Sequence, residues 1–361
     1  MRLLPSWHYE VSTSVVGAVE LVAPLLRKRL LVTGPAVAQV LKVLDALGAG
    51  VVCENPEMYL SEISGLSRSD IAAIVEGLDR ENAIKRAPDI PERQEEDGLY
   101  DRQVRFFQAF ETQTRDAAAL NRSLQERTVA VIGLGGYGTW LALLCARAGV
   151  ERLVLFDDDR VELSNLSQQV LFGLSEVGQL KVSACEPMLR AHNPKISIEP
   201  HAHRVKKPAD LVPHLSRVDF VFNSFGYVSS DEVMNSSLGA IALACLYGRR
   251  PCLIFGGSGI GPLTIPGVTP CYWCVLHDTE VSKVISASAW IRRKQFSPAF
   301  VPRIAATASL AAWEAFRFLA GVGGGVVQSG LVLLDTFEYN NSKVFAVKRH
   351  PGCPMCSGRL S

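Results

Sequence analysis

Two cysteine pairs, Cys271-Tyr-Trp-Cys274 and Cys353-Pro-Met-Cys356, constrain this chain more than any other feature. A two-residue spacing lets both sulfurs of a pair face one point, and four thiolates are the donor set of a closed tetrahedral Zn²⁺ site. The alternative is four separate reduced or paired cysteines. The pairs lie too far apart for a small autonomous finger, so a shared ion would pin the C-terminus back onto a loop deep in a domain. A site with all four positions filled by protein is structural, not catalytic.

A second constraint lies upstream. Thr128-Val-Ala-Val-Ile-Gly-Leu-Gly-Gly-Tyr-Gly138 reads as a buried strand entering a glycine turn, with a helix over Thr139–Ala148. Gly133, Gly135, Gly136 and Gly138 lack the side chains that would keep backbone N–H groups and a helix N-terminus away from a phosphate. The next strand, Arg152–Phe156, ends in Asp157, Asp158 and Asp159, where an acid commonly holds a ribose hydroxyl. Strand, turn, helix, strand and acid in this order predict a Rossmann-like α/β domain. The alternative is a tight turn of purely structural use, and the extra glycine does not choose between a dinucleotide and ATP.

Together with Asn165-Leu-Ser-Gln168-Gln169, Val177-Gly-Gln-Leu-Lys181 and the cysteine pairs, these segments resemble the E1-like adenylating family of the ThiF/MoeB type. The resemblance covers roughly the last three-quarters of the chain. It implies a mainly parallel sheet with helices on both faces and a homodimer that binds ATP and Mg²⁺. A substrate carboxylate then attacks the α-phosphate, giving an acyl-adenylate and pyrophosphate. By the same resemblance Asp159 holds the ribose, Asn165 and Lys181 contact phosphate, and Asp157, Gln168 and Gln169 belong to the nucleotide-binding set. Arg102, in Tyr100-Asp-Arg102-Gln, would reach the nucleotide of a dimer partner. Such chemistry builds negative charge on the α-phosphate and leaving group, so preorganised cations are its main device. Outside these motifs, Lys181 would read as a helix cap and Arg102 as a solvated residue.

Two positions depart from the family pattern. Gln168 stands where an arginine is usual, and Phe225 stands where a magnesium-binding aspartate is expected after the fourth strand. Asn223 or Asp231 are the candidate replacements for the carboxylate, and Arg160 or Arg204 for the cation. No cysteine lies between Cys274 and Pro302, where E1-type enzymes carry their nucleophile. Cys145, Cys185, Cys245 and Cys252 sit among apolar residues and read as small buried hydrophobes. A thioester relay is not expected.

Residues 1–88 read as a separate winged-helix domain, 89–99 as a polar linker, and 100–361 as the nucleotide-binding domain. Ala36–Leu47 has helical apolar spacing, Leu60–Asp79 reads as helix–turn–helix, and Ala83–Ala87 as the wing strand. Ser67 is an N-cap candidate with Asp70 in the first turn. The second helix balances Asp70, Glu76 and Asp79 against Arg68 and Arg80, which is not a phosphate-binding face. The domain resembles the peptide-recognition modules of enzymes that modify ribosomally made peptides, which take a leader peptide as an added strand. A dimerisation or packing module is the alternative. Asn165–Phe172 and Ala299-Phe-Val-Pro302 likewise resemble the peptide-modifying subgroup of the adenylating family.

A net charge of +1 over 361 residues, without a long basic run, implies neither a nucleic-acid nor a membrane partner. Met1-Arg-Leu-Leu-Pro5 is too short and interrupted for a signal peptide, and nine cysteines suit a reducing cytoplasm. His201 and His203, at strand-like spacing without a nearby third ligand, read as surface residues. Three functions compete: an adenylating enzyme acting on a precursor peptide, an adenylyltransferase for a small sulfur carrier, and a peptide-binding scaffold without catalysis.

Overall fold

The computed structural model describes all residues except 1, 6–8, 13–17, 24–27, 82, 88–94, 113, 226–232, 285–298, 324, 336–337, 339–341 and 357–361. Asp231 and most of the expected linker therefore lie outside the described residues. The chain divides into two compact units, Met1–Asn121 and Arg122–Ser361.

In the first unit, β1 (Arg2–Pro5) pairs antiparallel with β5 (Val51–Val52) and β6 (Ile84–Ala87). An antiparallel meander of β2 (Glu10–Ser12), β3 (Ala18–Ala23) and β4 (Lys28–Thr33) was not expected from the sequence. Three helices follow the predicted spacing: α1 (Val37–Ala49), α2 (Pro56–Ser64) and α3 (Arg68–Arg80). The turn between α2 and α3 is specified locally. Gly65 ends α2 in a left-handed conformation (φ 76°), and the Ser67 hydroxyl accepts the Asp70 N–H at 3.1 Å to start α3. Val43, Leu60, Ile71 and Val75, at helical spacing, are fully buried in one apolar core. Two further helices are α4 (Asp101–Phe107), which carries an exposed Arg102, and α5 (Ala117–Gln125).

The second unit is built on an eight-stranded sheet. Its parallel part runs β11 (Cys252–Gly256), β10 (Phe220–Asn223), β7 (Thr128–Ile132), β8 (Arg152–Phe156), β9 (Ser197–His201). Beyond β11 it turns antiparallel through β12 (Gly259–Thr264), β13 (Gly330–Leu333) and β14 (Lys343–Ala346). Alternate residues of the parallel strands bury on opposite faces. Ala130, Ile132, Val154, Val221 and Ile254 share a core with Leu238 and Ile241 of α8 (Ser237–Tyr247). Val129, Val131, Leu153, Leu155, Phe222 and Phe255 point the other way and are also buried. On that side lie α6 (Gly136–Ala148) and α10 (Val301–Ala320), in contact with each other. The remaining helices are α7 (Lys181–His192) and α9 (Tyr272–Leu276). Among the described residues no helix is long and apolar enough to cross a membrane.

Candidate nucleotide site and cysteine cluster

The glycine turn sits at the C-terminal ends of the parallel strands, the usual position for a ligand in an open α/β sheet. Gly133 has φ 92°, and a Cβ there would press on the Ser224 hydroxyl. That hydroxyl donates to the Ile132 and Gly133 carbonyls at 2.7 and 2.8 Å, tying the end of β10 to the turn. At Gly138 a Cβ would collide with the Gly133 carbonyl, so helix and turn approach closely only because this position lacks a side chain. Gly135, by contrast, faces open space.

Beside the turn lies a cavity of about 230 Å³, walled by the turn, the end of β8, Lys181, the 203–205 segment and Ser224–Phe225. Asp157 is committed to the backbone. Its Oδ2 accepts the Leu134 N–H at 2.6 Å and its Oδ1 the Asp159 N–H at 2.9 Å. Burial outweighs these bonds and the Lys181 charge, leaving the Asp157 carboxyl above its ordinary range. Asp159 lines the cavity and its Oδ2 lies 3.0 Å from Lys181 Nζ. Asp158 lines it as well, from an exposed position.

Other sequence-derived positions stand differently. Asn165 closes its own turn, its Oδ1 accepting the Glu162 N–H at 3.1 Å. Gln168 places its Oε1 near Gly136 at the start of α6, and Gln169 is buried with an Oε1 that has no partner among the described residues. None of Asn165, Gln168, Gln169, Gly136 or Gly138 is among the cavity-lining residues. Asn223 is fully buried and donates to the Leu238 carbonyl at 3.0 Å, away from the cavity lining. Phe225 lines the cavity with its ring against Gly133, and Arg204 lies over that ring at 5.6 Å. Arg204 therefore brings a cation to the wall, whereas Arg160 points to the Gly178 carbonyl. On the β10 side the described wall offers a hydroxyl and a phenyl ring, which do not fit a magnesium ion's need for carboxylate oxygen.

The histidines overturn the sequence expectation. His201 and His203 have a neighbour, His214, brought in by a short 3₁₀ turn over Val212–Arg217. All three pack around Phe156, and His203 lines the cavity. Burial, then the charge of His201, hold His214 below the ordinary imidazole range.

The four cysteines do come together. Cys271 Sγ lies 3.8 Å from Cys274 Sγ and 3.5 Å from Cys353 Sγ, and Cys274 Sγ lies 3.5 Å from Cys356 Sγ. Zinc–sulfur bonds of about 2.3 Å set tetrahedral edges near 3.8 Å, so the cluster fits a metal of that kind. Backbone N–H groups of His350 and Cys356 donate to the Cys274 and Cys353 sulfurs at 3.3 Å, which suits thiolates. Hydrogen bonds with the Cys274 and Cys353 sulfurs, and then burial, hold the Cys271 thiol above its ordinary range. Cys145, Cys185, Cys245 and Cys252 are buried as expected, and burial pushes Cys185 up to about 12.

Comparison with known proteins agrees with this geometry. Residues 100–355 match the ThiF family model. The chain is 29% identical to the sulfur carrier protein ThiS adenylyltransferase of Escherichia coli, over 66% of its own length and 88% of that protein. It is equally identical to the molybdopterin-synthase adenylyltransferase of Escherichia coli, over 71% and 95%. Its fold matches Escherichia coli MccB in a crystal structure with AMPCPP and MccA. The TM-score is 0.77 at 20% identity, covering 99% of this chain and 100% of that one. PaaA matches with a TM-score of 0.71 at 19% identity, covering 95% and 99%. With glycine turn, acid-ended second strand and cysteine cluster in the expected places, the chain belongs to the ThiF family.

Proposed function

We propose that this protein is an ATP-dependent adenylating enzyme that activates a carboxylate of a precursor peptide, on a side chain or at the C-terminus. Support for a peptide comes chiefly from coverage. The structural likeness to MccB with MccA bound extends over 99% of the chain, including the N-terminal unit, whereas the sequence likeness to the two adenylyltransferases above covers 66% and 71%. A folded sulfur carrier needs no separate leader-binding module.

In this reading ATP lies along the glycine turn with its ribose at Asp159. A carboxylate oxygen of the peptide bonds to the α-phosphorus, the bond to the bridging oxygen breaks, and pyrophosphate leaves. Charge developing on the phosphoryl oxygens is met by turn N–H groups, Lys181 and Arg204. Arg102 would add a charge from the partner of a homodimer, and Asn165 would orient a phosphate oxygen after releasing its turn. Gln168, next to Gly136, contributes an amide dipole in place of the usual arginine charge. Gln169, through its buried oxygen, is assigned to shaping the same loop. Magnesium is the family's companion to ATP, and how it is held is left to groups other than Phe225. The cysteine cluster would hold a structural Zn²⁺ that fastens the C-terminal segment to the loop at Cys271.

The test is peptide-dependent pyrophosphate release and ATP–pyrophosphate exchange with candidate precursor peptides. ADP and phosphate instead would move the attack to the γ-phosphate and refute the mechanism. Turnover only with a carrier protein ending in Gly-Gly would establish the sulfur-carrier reading. Peptide binding with no nucleotide consumed would establish a scaffold.

A further inference from the structure

We infer that Glu199, His201 and His214 form a second metal site, for a divalent transition ion of the zinc class, behind the wall of the nucleotide cavity. The three side chains converge on one point. His201 Nε2 lies 2.8 Å and His214 Nδ1 3.9 Å from the same oxygen, Glu199 Oε1. Their ligand atoms all fall within 4.8 Å of one another. An ion bonded at about 2.0–2.2 Å to such groups separates them by roughly 3.3–3.5 Å, so each imidazole would shift by about half an ångström relative to Glu199 Oε1 to seat it.

Three features make this more than a hydrogen-bonded pair. Glu199 divides its oxygens: Oε2 is turned to Arg152 Nη1 at 3.8 Å, while Oε1 faces the imidazoles. Phe156, only 1% exposed, holds both rings, stacked on His201 at 4.5 Å and edge-on to His214 at 5.3 Å. Such packing limits how far the two rings can turn. The side chains of Glu199, His201 and His214 are 42%, 20% and 29% exposed, so an ion can enter and water can complete its shell.

Donor chemistry names the ion. Two imidazole nitrogens and one carboxylate oxygen suit Zn²⁺, Ni²⁺ or Cu²⁺, whereas Mg²⁺ prefers oxygen alone. Three protein ligands leave an open, exchangeable site, unlike the closed set of four sulfurs. Phe156 also lines the nucleotide cavity, so the ion would stand directly behind that wall.

The experiment compares metal uptake by tag-free protein and by His201→Gln and His214→Gln variants, after dialysis against a chelator has removed loosely held ions. Equilibrium dialysis with Zn²⁺ should show one more saturable equivalent per chain in the unaltered protein than in either variant. Co²⁺ taken up in that increment should give weak ligand-field bands without thiolate charge transfer. Glu199→Gln, which keeps the shape and loses the charge, should weaken uptake by about tenfold or more. Circular dichroism and melting confirm that each variant is folded. Because the readout is a difference, it stands whatever the cysteines hold. Equal stoichiometry and affinity in all four proteins would overturn the proposal.

Discussion

Lys181 Nζ lies 3.0 Å from Asp159 Oδ2, joining a lysine whose side chain is 6% exposed to an aspartate whose side chain is 57% exposed. The Lys181 N–H also donates to the Asp159 carbonyl at 3.0 Å, so the contact is fixed at backbone and side chain alike. Burying an ammonium costs less when a carboxylate is paired with it. The pair thus holds the ammonium at the cavity wall, and the proposed ribose contact of Asp159 is one made without releasing Lys181. Lys181→Ala should lower pyrophosphate release by about a hundredfold or more, the usual cost of removing one preorganised donor. Its far-ultraviolet dichroism should not change. Near-normal turnover in that variant would remove Lys181 from the mechanism.

The glycines of the turn should separate by function. Gly138→Ala forces a methyl into the Gly133 carbonyl, and neither backbone can yield cheaply. It should cost the fold about 2 kcal/mol or more in chemical denaturation. Gly135 lines the cavity and a Cβ there meets nothing within 4 Å, so Gly135→Ala should fold normally and raise the KM for ATP. The opposite pattern would mean that the cavity is not where the nucleotide binds.

Local signals were the legible ones. Ser67 caps α3 because its hydroxyl and the Asp70 N–H are three residues apart, and β7, the turn and β8 follow from one short run of apolar residues, glycines and an acid. The two Cys-x-x-Cys pairs were legible across 82 residues because the chemistry of four thiolates leaves few other arrangements. What the sequence concealed depends on packing. His214 meets His201 only because the turn over Val212–Arg217 folds back on the end of β9. Of the two arginines the sequence offered as a replacement cation, packing on the ring of Phe225 brings Arg204 to the cavity, while Arg160 is taken by the Gly178 carbonyl. The meander β2–β4 escaped because charged residues interrupt its apolar runs, Glu10 in β2, Glu20 in β3, and Lys28 and Arg29 in β4.

Removing one sulfur should show what the cysteine cluster holds. Unaltered protein should contain one tightly bound zinc per chain, and Cys271→Ser or Cys356→Ser should lose it. Loss should expose the C-terminal segment to limited proteolysis while nucleotide-site residues stay protected longer. Metal analysis finding no zinc in protein purified without chelator would dismiss the site.

Deleting residues 1–88 should separate peptide binding from chemistry. If the N-terminal unit binds a leader, the truncated protein should show a peptide KM raised by about tenfold or more with the KM for ATP little changed. A short peptide lacking the leader should be used equally by both proteins. Parallel increases in both constants would instead mark the unit as structural support.

Glu314 offers a test of electrostatics away from the site. Burial raises its carboxyl above the ordinary range despite Arg317, 3.2 Å away, and its Oε2 has no hydrogen-bond partner among the described residues. A carboxyl with a raised folded-state pKa favours its protonated form in the native protein. Its stabilising contribution is therefore complete below the unfolded pKa and is lost as pH rises through the folded value. Unaltered protein should accordingly lose stability relative to Glu314→Gln as pH rises from about 4 through the raised folded value. Urea midpoints of the two proteins, measured across that range, check it. A gap that stays constant, or that widens toward acid, would show that Arg317 outweighs burial and holds the carboxylate ionised.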